Sequence, residues 1–123
     1  MYTIAVRARF NASHSVCIGT GPREEPHKHG WLVEVEVGAD ALDRHGLVMD
    51  FRRLEHLLGE CIADFHGALL DELPEFAESN PTAENVAHTI YRRLEARLRE
   101  DGGTLARVTV WEAEGCSATY RPR

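Results

Sequence analysis

The stretch HKHGWLVEVEV (residues 27–37) decides the fold. Trp31, Val33, Val35 and Val37 alternate with Leu32, Glu34 and Glu36, the period-two pattern of a strand with one buried face. A strand is therefore predicted over 29–38. Residues 2–13 repeat the pattern, with Ile4, Val6, Ala8, Phe10 and Ala12 in one row. Between them, 15–28 reads as a loop rich in Gly and Pro. Beyond the second strand comes a turn, GADALDRHG, and then Asp50 as a helix cap. Phe51, Leu54, Leu58, Cys61, Ile62 and Phe65 recur at helical spacing to about residue 65. The segment HGALLDELPEFAES is irregular. A second helix starts at NPTAEN, with Asn80 as cap and Pro81 at its first position, and runs to about 99. Residues 104–113 and the CSATYRP segment read as two further strands. The order ββααββ predicts an α+β domain, an antiparallel four-stranded sheet with two helices on one face.

The 123 residues suit one domain spanning the chain. Composition is 43% hydrophobic and 28% charged, ordinary for a globular protein. The formal charge is −6, and Lys28 is the only lysine. No basic stripe points to nucleic acid as a partner. No apolar run has membrane length, and the N-terminus lacks the charged start and apolar block of a leader peptide. Cys17, Cys61 and Cys116 are odd in number and widely spaced, so no disulfide framework is expected. A reducing, cytoplasmic setting is the expectation.

His27 and His29 share the parity of Trp31 and extend its row past the strand's start. His14 extends the row of Ile4 to Ala12 past the end of the first strand. If the two strands form an antiparallel hairpin, all three imidazoles leave one sheet face at one edge. Three histidines with no fourth protein ligand suit a catalytic Zn²⁺ with an open position. His45, His56 and His88 lack such a context and read as surface or core residues.

The segments FNASH (10–14), HKHGWLVEVEV (27–37), GLVMDF (46–51), NPTAEN (80–85) and VTVWEAEGCSATY (108–120) together resemble the family of 6-pyruvoyl- and 6-carboxytetrahydropterin synthases. The resemblance implies the tunnelling fold, in which sheets of several subunits join into an oligomeric barrel with helices outside. A hexamer is usual in the family. It also implies zinc on His14, His27 and His29, and a pterin anchored by Glu112. A carboxylate accepts two neighbouring N–H donors of a pterin at once. The parity of Glu112 with Val108 and Val110 points it toward a buried row. Thr82 and Glu84 match positions near the pterin; helix capping and first-turn charge explain them equally well.

Two departures from the family pattern stand out. The family's catalytic cysteine precedes the H-x-H pair by a few residues, where this chain reads GPREEP. Cys17 is ten residues before His27 and reads as a small apolar loop residue. Some branches of the family carry glutamate three residues before the pair, and Glu24 has that spacing. As a general base it would act beside the metal; its other reading is a solvated loop charge. The family's Asp-His relay pair is also broken, because the segment reads DFHG. One alignment puts His66 on the relay histidine and Phe65 on the aspartate. The shorter one puts His66 on the aspartate and Gly67 on the histidine. Asp64 and Asp71 are the candidates to orient His66.

The expected function is a zinc-dependent lyase acting on 7,8-dihydroneopterin triphosphate, with His66 and Glu24 moving protons, Glu112 and Thr82 holding substrate, and Lys28 or an arginine meeting phosphate. Products in the family feed tetrahydropterin or queuosine synthesis. Branches with glutamate resemble enzymes that form 6-hydroxymethyl-dihydropterin for folate. A non-catalytic pterin- or metal-binding module is the remaining alternative.

Overall fold

The computed structural model describes residues 1–19 and 21–123; Thr20, inside the predicted loop, lies outside the described residues. The elements are β1 (Tyr2–His14), β2 (His27–Ala39), α1 (Phe51–Ile62), α2 (Ala83–Leu98), β3 (Thr104–Ala113) and β4 (Cys116–Tyr120). Two single-turn 3-10 helices, Leu70–Glu72 and Pro74–Phe76, lie between α1 and α2. The sheet has the order β1-β2-β3-β4, antiparallel throughout. The long β2–β3 connection carries both helices. α1 packs on β1, and α2 on β3 and β4.

Alternation in β2 becomes burial. Trp31, Val33, Val35 and Val37 are fully buried, while Leu32, Glu34 and Glu36 are half-buried on the other face. Burying such side chains stabilises the fold by roughly 1.5–3 kcal/mol each. Leu54, Leu57 and Leu58 of α1 and Val86, Ile90 and Leu94 of α2 close the core from the helical side. At the hairpin end, Phe10 stacks on Trp31 with centroids 5.7 Å apart, and Phe65 tilts onto Phe10 at 5.4 Å. The Trp31 indole N–H donates to the Ala12 carbonyl at 3.2 Å. A rigid aromatic floor thus lies beneath the strand ends that carry the histidines.

Several expected boundaries shift. β1 continues to His14 and β2 starts at His27, because the ladder persists through Ala12↔His29 and His14↔His27. α1 stops at Ile62, and Phe65 is buried from the turn that follows, where its N–H bonds the Ile62 carbonyl. Phe51, placed in the apolar stripe by spacing, is 51% exposed. α2 is capped by Thr82, whose Oγ1 accepts the Asn85 N–H at 3.2 Å, so Asn80 is not its cap and Pro81 precedes it. The Asn80 side chain is engaged elsewhere: it accepts the Cys17 N–H at 2.9 Å and donates to the Cys17 carbonyl at 2.6 Å.

β3 enters the sheet where Gly103 passes β2 so closely that a Cβ would lie 2.6 Å from Val37 Cγ1. Two register shifts follow, one opposite Glu36 and Val37 and one between Trp111 and Ala113. The first lets Leu105 join Val108 and Val110 in the core despite opposite parity. The second leaves Glu112 as the extra residue between Trp111↔Ser117 and Ala113↔Cys116. Among the described residues, no helix is long and apolar enough to cross a membrane.

Candidate metal centre

The hairpin brings the three histidines together. Ring centroids lie 4.8 Å apart for His14 and His27, 5.1 Å for His14 and His29, and 4.7 Å for His27 and His29. One ligand nitrogen from each lies within 4.8 Å of the others. His14 is buried with its ring edge-on to Trp31, His29 is half-buried and His27 exposed, so the cluster opens outward from the aromatic floor.

Backbone carbonyls set the tautomers. His14 Nδ1 lies 2.9 Å from the Pro81 carbonyl, which can only accept, so Nδ1 carries a proton and in the neutral ring Nε2 presents a lone pair. His27 Nδ1 donates to the Glu25 carbonyl at 3.3 Å, with the same consequence. Nε2 of His14 and of His29 are buried without a hydrogen bond. Glu112 Oε1 comes within 2.7 Å of His14 Nε2, but off the direction a hydrogen bond needs. A ring nitrogen facing a carboxylate oxygen this closely favours a positive charge at the cluster, whether a proton or a metal ion. Burial pushes the His29 imidazole below its ordinary value; Glu112 opposes this, and His14 and His27 reinforce it. Neutral imidazoles with orphaned buried nitrogens are the donor set that zinc takes, so the residues present fit the expected ion.

The other expected residues divide. Glu24 lies beside the cluster, on the Nδ1 side of His27: its Oε1 accepts the Val16 N–H at 3.1 Å and is 3.9 Å from His27 Nδ1. Glu112 joins the cluster from β3, where it is the extra residue between Trp111 and Ala113. Thr82 caps α2, one residue from the Pro81 carbonyl that holds His14. His66 is exposed, and its Nδ1 accepts the Asn11 N–H at 3.1 Å at the outer edge of β1. Neither proposed partner orients it. Asp64 is held by Arg93 at 2.7 Å, and Asp71 by the Ser15 N–H and Arg23. Glu84 and Lys28 are exposed, and Cys17 is half-buried with its thiol directed at the Gly21 carbonyl, 3.5 Å away. The Pro81 carbonyl is a functional group that the sequence does not announce, since a main-chain oxygen has no letter of its own.

The sheet, the helical layer behind it and the histidine cluster at the hairpin end define a tunnelling-fold protein. The chain belongs to the 6-pyruvoyl tetrahydropterin synthase family, whose sequence profile matches residues 3–123. An Archaeoglobus fulgidus protein described provisionally as a 6-carboxy-5,6,7,8-tetrahydropterin synthase is 34% identical over 118 residues, covering 96% of this chain and 94% of its own. The dihydroneopterin monophosphate aldolase of Pyrococcus furiosus is 33% identical over 109 residues, covering 89% and 88%. Among solved structures, the 6-pyruvoyl tetrahydropterin synthase of Caenorhabditis elegans superposes with a TM-score of 0.84 at 20% identity, covering 99% of this chain and 96% of its own.

Proposed function

We propose that this chain is a zinc-dependent lyase that acts on the side chain of a 7,8-dihydroneopterin phosphate, with the triphosphate as first candidate. The observation that carries the reading is the pair of buried, unbonded Nε2 atoms on His14 and His29 beside Glu112. His14, His27 and His29 would hold the ion, which when bound polarises side-chain oxygens of the substrate. Glu112 accepts the ring N–H donors and fixes the pterin's orientation. Glu24, beside His27, takes the proton from the substrate side chain. Thr82 borders the pterin. His66 carries its remaining N–H at the outer edge of β1, where a neighbouring subunit's site would meet it if the sheets join into the family's hexameric barrel. No disulfide links the three cysteines, which are all free.

A second reading is favoured by one observation. The stretch GPREEP holds no cysteine where tetrahydropterin synthases of this family carry one, and Glu24 stands three residues before His27 with its carboxylate 3.9 Å from that ring. On that reading the enzyme shortens the side chain to 6-hydroxymethyl-dihydropterin, in line with the relative named as an aldolase. Zinc-loaded protein incubated with dihydroneopterin triphosphate and, separately, monophosphate decides between them by product mass. Loss of triphosphate from the first supports synthase chemistry. A one-carbon side chain from the second supports the aldolase. Pterin binding without turnover of either would leave a binding module and overturn both.

A further inference from the structure

Asp71 stands apart from the histidines, yet both of its oxygens are spent on the loop that leads to them. Oδ1 accepts the Ser15 N–H at 2.9 Å and Oδ2 accepts from Arg23 Nη1 at 2.7 Å. The same Nη1 donates to the Ser15 carbonyl at 2.8 Å. One carboxylate and one guanidinium therefore occupy both main-chain groups of Ser15, a residue only 1% exposed. Ser15 follows His14 in sequence, and Arg23 precedes Glu24.

The next rung carries the constraint to the site. The Val16 N–H donates to Glu24 Oε1 at 3.1 Å, and the Glu24 N–H reaches the Val16 carbonyl at 3.4 Å. Asp71 itself is rooted. It lies in the turn Leu70–Glu72, whose Leu70 is fully buried and whose preceding Leu69 bridges to Ser13 of β1. Its side chain is 18% exposed, against 51% for Arg23. A shielded carboxylate making two directed contacts is a fixed post, unlike a solvated loop charge. The Asn80–Cys17 contacts fasten the middle of the loop independently.

We propose that Asp71 is a positioning residue: through Ser15 and Arg23 it holds the Glu24 carboxylate beside His27. The proposal rests on the reading of Glu24 as the proton acceptor. Arg23→Ala and Asp71→Asn test it, each alone and combined with Glu24→Gln. Arg23→Ala keeps the Asp71–Ser15 hydrogen bond, so the fold persists even if Asp71→Asn does not fold. The Val16 amide reports the seat of Glu24 directly. Its hydrogen exchange is expected to rise about tenfold in both variants. Turnover is expected to fall about 10- to 100-fold, with KM held within about twofold. Arg23→Lys, whose single ammonium can meet both acceptors, is expected to recover most of that loss. In the Glu24→Gln background neither change should lower turnover further. Unchanged Val16 exchange overturns the proposal, and so do additive losses in the double variants. If exchange rises but Glu24→Gln alone is fully active, the positioning stands and the proton-acceptor reading falls.

Discussion

At the scale of single residues, His14 ties the core to the chemistry. One ring nitrogen is fixed by the Pro81 carbonyl, 67 positions away in sequence, and the other is left bare beside Glu112. Removing the ring should therefore remove the ion. Zinc content measured by elemental analysis is expected near one per chain in the unaltered protein. In His14→Ala, affinity is expected to fall by more than the roughly 10–100-fold typical of a residue that only supports a ligand. Because zinc takes neutral imidazole, affinity should hold at pH 7 and weaken as pH falls below about 6. Burial depresses the His29 imidazole, so it stays available as a ligand further into the acid range than an ordinary histidine would. An affinity flat from pH 7 to pH 5 in a chelator competition would mean that these rings are not the ligands. The three histidines were legible because strand parity alone puts them on one face. The Pro81 carbonyl and Asp71 were not, because each acts across a long separation through a contact that no local pattern encodes.

At the scale of elements, β2 supports two jobs on its two faces. Its inner face builds the aromatic floor and the aliphatic core. Its outer face carries Glu34 and Glu36, which pair with Arg7 of β1 and Arg107 of β3 at 2.6–2.8 Å. Hydrogen bonds from Arg7 and then Arg107 hold the Glu34 carboxyl below its ordinary range, against the opposing effect of burial. A depressed carboxyl stabilises the fold fully above its unfolded value and loses that contribution as pH falls through the folded one. Glu34→Gln is thus expected to cost about 1–2 kcal/mol at neutral pH in denaturant titration, and almost nothing once the acid side is reached. An equal loss at pH 7 and pH 3 would assign the effect to packing instead. The alternation that predicted these strands was legible to within two residues at their ends. The bulges in β3 were not. The direction of Glu112 was read correctly from parity, whereas Leu105 enters the core only because the register slips opposite Glu36 and Val37. The start of α2 was misplaced for a similar reason, whereas Asp50 caps α1 as expected: Asn80 and Thr82 are both cap-forming residues, and only the tertiary claim of Cys17 on Asn80 decides between them.

At the scale of the whole molecule, the sheet has two ends to account for. Alternation along β1 turns the main-chain groups of its odd residues outward. Those of Asn11 and Ser13 are met by His66, Gly67 and Ala68. Among the described residues, the outward groups of Thr3, Ala5, Arg7 and Arg9 have no main-chain partner. A long open edge is a template for pairing, which proteins cover, charge or close. β4 presents the opposite edge of the same sheet. Joining the β1 edge of one chain to the β4 edge of the next would satisfy both edges and generate a closed ring. The expectation is a hexamer by light scattering coupled to size exclusion. Ala5→Pro provides the contrast, because it removes one outward N–H while leaving the β1–β2 ladder, made by the even residues, untouched. Its mass should drop toward the single chain with the circular dichroism of the sheet retained. A monomer in the unaltered protein at micromolar concentration, or an Ala5→Pro variant still fully assembled, would exclude this edge as the seam. In the first case the site must also work within one chain, and His66, held at the outer edge of β1, would have no route to the chemistry.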